Sequence, residues 1–198
     1  GSKYIFSTEV GYDRQGRIMI DWIMEQNPSA KIGIIYQDDD YGENALSGIK
    51  EAEAEHGITV QRESFQRGAT DFTGQVGNVM KGGCDYVLIA AIVKEPIIIL
   101  KTAAALGYKP QFMGYGPTMD HRVGLASGPA GEGFIVANTA HMWTSDHPSA
   151  VRYREICETN NVPEKMRGMY HFYGFAAGQV LTEGLERAGK NLTRKSLI

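Results

Sequence analysis

The sequence is poor in several features that would announce a function. It has 2 cysteines in 198 residues, Cys84 and Cys157. They lie far apart without a CxxC spacing, which excludes a disulfide scaffold and a cysteine zinc site. No apolar run nears the roughly 18 residues of a membrane span; the longest, residues 97–106, is broken by Lys101 and Thr102. Charge is nearly balanced, 20 basic against 23 acidic residues for a net of −3, so nothing draws the chain to nucleic acid or to an anionic membrane. No GxGxxG or GxxxxGK[ST] follows a strand-like run, which argues against a dinucleotide dehydrogenase or a P-loop enzyme. A GxSxG elbow is missing as well. The histidines, His56, His121, His141, His147 and His171, form no HxH or HExxH pattern. No cofactor and no metal are expected.

Against these gaps stands KIGIIYQDDDYG at residues 31–42. A short apolar run with β-branched Ile34 and Ile35 is followed at once by three carboxylates, an aromatic and a glycine, and then by a helical pattern. That order predicts a buried parallel strand, a loop at its C-terminal end and a crossover helix. In open α/β sheets ligands bind outside the carboxyl ends of the strands. The acid loop therefore sits where such a fold does its work.

The same rhythm runs along the chain. Tyr4-Ile5-Phe6 reads as a strand. Asp13 is placed to cap a helix to about Gln26, with Met19, Trp22, Ile23 and Gln26 on one face. Ala45, Leu46, Ile49 and Ala52 predict a second helix that Gly57 ends in the left-handed conformation. Residues 58–65 read as a strand. Thr70-Asp71 caps a helix with Phe72, Val76, Val79 and Met80 on its face. Residues 85–91 form a second buried strand. Glu95-Pro96 opens an almost wholly apolar helix with proline at its first position. Residues 111–114 and 134–137 are strands, and helices close the chain at about 148–160 and 170–188. The expected class is α/β, a doubly wound, mainly parallel Rossmann-like sheet with helices on both faces and flavodoxin-like order, residues 31–37 and 85–90 being central.

The acid run carries two readings. Asp38-Asp39-Asp40 after a strand suits a magnesium-dependent phosphatase, in the manner of haloacid-dehalogenase-type enzymes. That chemistry also needs a supporting lysine, a second acidic pair and a phosphate-holding hydroxyl. Lys94 and Thr118 are offered by other strand-end loops, but at no recognisable spacing. The alternative is that the acids cap the next helix near its positive end. His171, among aromatics at 169–173, either touches a ligand or packs. Cys84 reads as a small buried thiol.

Several stretches together resemble the type I solute-binding proteins, above all the branched-chain amino-acid receptors of bacterial ABC importers. They are KIGIIYQDDDYGENALSGIKEAEAEHGITV, TDFTGQVGNVMKGGCDYVLIA and LKTAAALGYKPQFMG, with YIFSTEVGYDRQGR ahead of them. The resemblance implies two Rossmann-like lobes closing on a small ligand. Residues 1–142 would be the ligand-binding second lobe and 143–198 a helical remnant of the first lobe, with a hinge near His141-Met142-Trp143. The rest of the first lobe would lie ahead of Tyr4, and Gly1-Ser2 reads as a cloning remnant. It further implies extracytoplasmic capture of an amino acid or related aromatic or aliphatic carboxylate, free or lipid-anchored, for delivery to a membrane permease. A ligand-sensing domain of a regulatory protein is the alternative.

By the same resemblance ligand contacts fall at three strand ends: Asp39, Asp40 and Tyr41 after the first strand, Ile92 and Lys94 after the second buried strand, and Tyr115, Gly116 and Asp120 after residues 111–114, with His171 as an additional contact. Where aliphatic amino-acid binders present a glutamate that grips the ammonium, this chain reads Tyr115-Gly116-Pro117-Thr118. Either Asp39, Asp40 or Asp120 pairs the ammonium instead, or the ligand lacks one. Tyr115 could stack on an aromatic acid, and Lys94 could hold a carboxylate. The stripe Gly174, Ala177, Gly178, Leu181 and Leu185 is expected to fold back or to pair with another copy, as a dimer or a swapped dimer.

Overall fold

The alternation read along residues 31–136 folds as a parallel sheet. The computed structural model describes residues 7–138, 140–141 and 143–198. The strands are β1 (Ile32–Gln37), β2 (Gln61–Phe65), β3 (Tyr86–Ala90), β4 (Gln111–Gly114) and β5 (Ile135–Val136), in the order β2-β1-β3-β4-β5. Every neighbouring pair is parallel. This is the flavodoxin-like order. The strand-like run at Tyr4-Ile5-Phe6 lies outside the described residues.

Period-two alternation sends the strand side chains to opposite faces and so builds two cores. Ile32 and Ile34 of β1, Leu88 and Ala90 of β3 and Met113 of β4 join one core. There they meet Met19, Ile20 and Ile23 of α1 (Tyr12–Gln26) and Ala45, Leu46, Ile49 and Ala52 of α2 (Asp40–His56). Ile35, Val87, Ile89 and Phe112 point the other way. They pack on Phe72, on Val76 and Val79 of α3 (Thr73–Lys81), on Ile99, Leu100 and Ala103 of α4 (Lys94–Ala105) and on Val123 of α5 (His121–Ser127). Gly57 ends α2 as expected and Gly107 follows α4 in the same way: they adopt φ of 65° and 70°, the left-handed stop open to glycine.

Four local expectations are corrected. Gly11, not Asp13, stands at the N-cap of α1, and Asp13 lies inside its first turn. The buried stripe of α1 is Gln15, Gly16, Met19, Ile20 and Ile23, while Trp22 is 39% exposed; the helix is rotated towards its smaller residues, because it packs closely on α2. Met80 is likewise 43% exposed, since Val76 and Val79 set the buried face of α3. Pro96 is the third residue of α4, behind Lys94 and Glu95, still within the first turn, where no intrahelical partner is lost.

The chain divides into two compact units, Gly11–Asn138 and Gly1–Val10 with Thr139–Ile198. The sheet and its helices make up the first. In the second, α6 (Pro148–Thr159) buries Ala150, Tyr153 and Cys157. The Tyr153 ring lies edge-on to Trp143 and Phe172, with centroids 5.5 and 5.0 Å away. The long α7 (Met169–Ala188) buries only Met169. Asn160 ends α6, and α8 (Arg194–Leu197) begins on a reciprocal Thr193–Ser196 cap.

Candidate ligand-binding site

The order of the strands fixes where a ligand would meet the sheet unit. From β1 the chain goes outward to β2, then returns past β1 to β3. The loops after β1 and β3 therefore part in opposite directions and leave a crevice between their ends.

The loop after β1 is held by its own acids. Asp39 caps α2, accepting from the backbone N–H groups of Tyr41 and Gly42 at 3.0 and 3.3 Å, and its other oxygen accepts from the Gln37 side-chain amide. Asp38 is exposed and accepts from the Gln66 amide at 2.7 Å. Asp40 is exposed at the first position of α2. The three carboxylates thus point to separate tasks. Gly42 is needed because a Cβ there would overlap the Gln37 carbonyl oxygen. Tyr41 is half-buried; its hydroxyl donates to the Ala91 carbonyl at 3.3 Å, and its ring meets Tyr12 edge-on at 4.5 Å. One side chain therefore ties the loop after β1 to the loop after β3 across the crevice.

After β3, Ile92 and Val93 are half-buried and Lys94 is exposed. Glu95, which the sequence marks only as a helix opener, is 6% exposed. It lies one turn ahead of Ile99 on the buried stripe of α4, and no partner of its carboxylate is found among the described residues. Gln37, on the Ile35 face of β1, has a buried Oε1 without a partner among the described residues. The unsatisfied Gln37 acceptor and the nearly buried Glu95 at the ligand end of the sheet are the features that sequence reasoning missed. A buried polar residue in an apolar helical stripe was the available signal.

After β4 the chain turns inward. Tyr115 is fully buried in the α1–α2 core, its hydroxyl without a partner among the described residues and its acidity weakened by that burial. It offers no exposed face on which an aromatic acid could stack. Gly116 donates its N–H to the Gln15 side-chain oxygen at 2.7 Å. Thr118 donates through its hydroxyl to the Tyr115 carbonyl at 2.8 Å. Asp120 caps α5 and is gripped by the Arg122 guanidinium at 2.8 and 2.7 Å. It is thus already neutralised, and the substitution it was expected to make for the ammonium-gripping glutamate is not free to it in this arrangement. His171 lies in the other unit, where its Nδ1 is 2.8 Å from the Tyr153 hydroxyl.

The Arg122 hydrogen bond, outweighing burial, holds the Asp120 carboxyl below the ordinary carboxylate range. A depressed folded value means stability that is complete above the unfolded value of about 3.9 and lost as pH falls through the lower, folded one. Asp120→Asn should therefore be less stable than the parent at pH 7 and should lose less further stability below about pH 4. Urea midpoints that fall in parallel for both proteins on acidification would refute this.

The sequence matches the profile of the periplasmic binding proteins over residues 1–198. The chain belongs to the periplasmic binding protein family. A leucine-, isoleucine-, valine-, threonine- and alanine-binding protein of Pseudomonas aeruginosa is 25% identical over 192 residues, 96% of this chain and 50% of that protein. Among solved structures, a fatty acid ABC transporter substrate-binding protein from Thermomonospora curvata superposes with a TM-score of 0.83 at 28% identity, covering 100% of this chain and 52% of that one. A branched-chain amino acid ABC transporter protein from Thermus thermophilus, solved with bound valine, superposes with a TM-score of 0.85 at 24% identity, covering 98% and 52%. The chain thus spans about half the length of these relatives. Periplasmic binding proteins are substrate-binding proteins and not enzymes, which sets aside the phosphatase reading of the acid loop.

Proposed function

We propose that this chain contributes the second lobe of an extracytoplasmic receptor that captures a small polar ligand, an amino acid or a related carboxylate, for a membrane permease of an ABC importer. The observation that carries the reading is the strand-end crevice bridged from Tyr41 to Ala91, in a chain of the periplasmic binding protein family. The crevice is framed by main chain and aromatic rings rather than by a catalytic set. The unit of residues 11–138 is read as that lobe, and the helices from residue 148 as the part that belongs to its partner lobe. The protein would work outside the cytoplasmic membrane, soluble or lipid-anchored.

Among the carboxylates at the strand ends, Asp40 is exposed, and Glu95, 6% exposed, makes no hydrogen bond or ion pair with the described residues. These two are the candidates for meeting an ammonium group. Exposed Lys94 at the start of α4 is the candidate for a carboxylate, with Ile92 beside it as apolar wall. Calorimetric titration of the two-lobed protein with valine, benzoate and a medium-chain fatty acid tests the reading. Heat with one class identifies the ligand chemistry, and silence across all three would overturn it.

The same reading accounts for α7. Gly174, Ala177, Gly178, Leu181 and Leu185 are all exposed, Leu181 at 54% and Leu185 at 40%. The stripe does not fold back on its own unit. In isolation the 198-residue chain should therefore self-associate through it. Light scattering should show a dimer at tens of micromolar, and Leu181→Glu with Leu185→Glu should return it to a monomer. A monomeric parent chain would refute the prediction.

A further inference from the structure

We propose that Gln15 is a positioning residue for the strand-end loop that follows β4. The inference rests on the reading that a ligand meets these strand ends. Because α1 leads into β1, it runs opposite to the strands, and its N-terminal turns lie at their carboxyl ends. Gln15 is 3% exposed, and its oxygen accepts the buried N–H of Gly116, a residue 101 positions later, at 2.7 Å. Other ties of the loop run within it, through the Thr118 N–H and hydroxyl to the Tyr115 carbonyl, and to β3, through the longer Tyr115 N–H to the Ile89 carbonyl at 3.3 Å. Gln15 is thus a short, buried anchor that holds the loop from a different element.

The surroundings are shaped to admit that anchor. A Cβ on Gly16 would come within 2.5 Å of the Tyr115 hydroxyl and 3.2 Å of the Ala45 carbonyl oxygen. Only glycine beside Gln15 lets the helix come this near to the loop. Tyr12, one turn before Gly16, meets the Tyr41 ring edge-on. The opening turns of α1 therefore hold the loop after β1 by a ring and the loop after β4 by a hydrogen bond. A buried amide whose acceptor is removed has no water to replace it. The loop would then have to move to satisfy it.

The test uses the full chain and, for affinity, the two-lobed protein proposed above. Gln15→Met keeps the length and removes the acceptor. Hydrogen exchange should show the Gly116 amide exchanging roughly tenfold faster or more, with the Ile34 and Leu88 amides unchanged. Gln15→Glu keeps an oxygen at the same reach and should restore protection. If the methionine variant does not fold, Gln15→Asn withdraws the oxygen by one methylene and should give the same local signature. In the two-lobed protein, valine (the molecule bound in the Thermus thermophilus relative) should bind roughly tenfold more weakly to the methionine variant and within about twofold of normal to the glutamate variant. Unchanged Gly116 exchange overturns the proposal, and so does exchange that rises equally across β1, β3 and β4, or altered exchange with unaltered affinity. If the unaltered protein ignores valine, the proposed ligand chemistry fails for that class, and the exchange measurements still decide for or against Gln15.

Discussion

Gly48→Ala is expected to destabilise the sheet unit by roughly 3 kcal/mol, at the upper end of what overpacking costs. Gly48 is buried in the middle of α2, where the helix crosses α1. A Cβ there would overlap the carbonyl oxygen of Asp13 and lie 2.9 Å from its Cα. The obstacle is backbone, so no side-chain rotation relieves it; one helix must move off the other, and Ile20, Ile23 and Ile49 between them must lose contact. Ordinary helix propensity points the other way, since alanine is favoured over glycine by about 1 kcal/mol in a helix interior. Gly74 and Gly77 of α3 supply the control, because a Cβ at either meets nothing within 4 Å. Gly74→Ala should raise stability by up to about 1 kcal/mol. Urea midpoints followed by circular dichroism separate the cases. A Gly48→Ala protein as stable as its parent would mean that the helices do not approach so closely.

Phe72→Ala should cost roughly 3–5 kcal/mol, the range of a deleted core aromatic. Phe72 is fully buried at the N-terminus of α3 and meets Phe65, the last residue of β2, edge to face with ring centroids 5.0 Å apart. That pairing contributes about 0.5–1.5 kcal/mol beyond the buried area. The residue also serves order along the chain. Asp71 beside it accepts from the Thr73 N–H and hydroxyl, so the turn into α3 is fixed by a polar residue outside and an aromatic inside. Phe72→Leu keeps most of the volume and should cost less than about 1.5 kcal/mol. Denaturation of the three proteins side by side checks this; equal losses for alanine and leucine would show that the ring geometry rather than its volume holds the site.

Much of this arrangement was legible because it follows from local chemistry. The alternation of Ile34 and Ile35 fixed which core each would enter, and Gly57 marked the end of α2. The class of fold followed from strands separated by helix-length spacings. What was not legible depended on distant partners. The exposure of Trp22 is decided by how deeply α1 sinks onto α2, which its own sequence does not record. Tyr115 is a partial exception: it continues the face of Met113 at period two, so its inward turn could have been read had β4 been carried one residue further. Arg122 beside Asp120 was also readable, as a neighbouring opposite charge. The pairing of Gln15 with Gly116 was not, since nothing in either neighbourhood points to the other.

The two thiols bear on how the proposed receptor could be watched at work. Cys84 lies 5% exposed beneath β1, with burial raising its pKa, and Cys157 is fully buried in α6. Neither thiolate is available to a maleimide under native conditions. A single new cysteine at exposed Asp38, which the proposed ligand contacts do not include, would then be the one reactive position in the unaltered cysteine background. A fluorophore placed there would stand in the loop after β1, and its emission would report arrival of a solute without any native residue of the core being replaced.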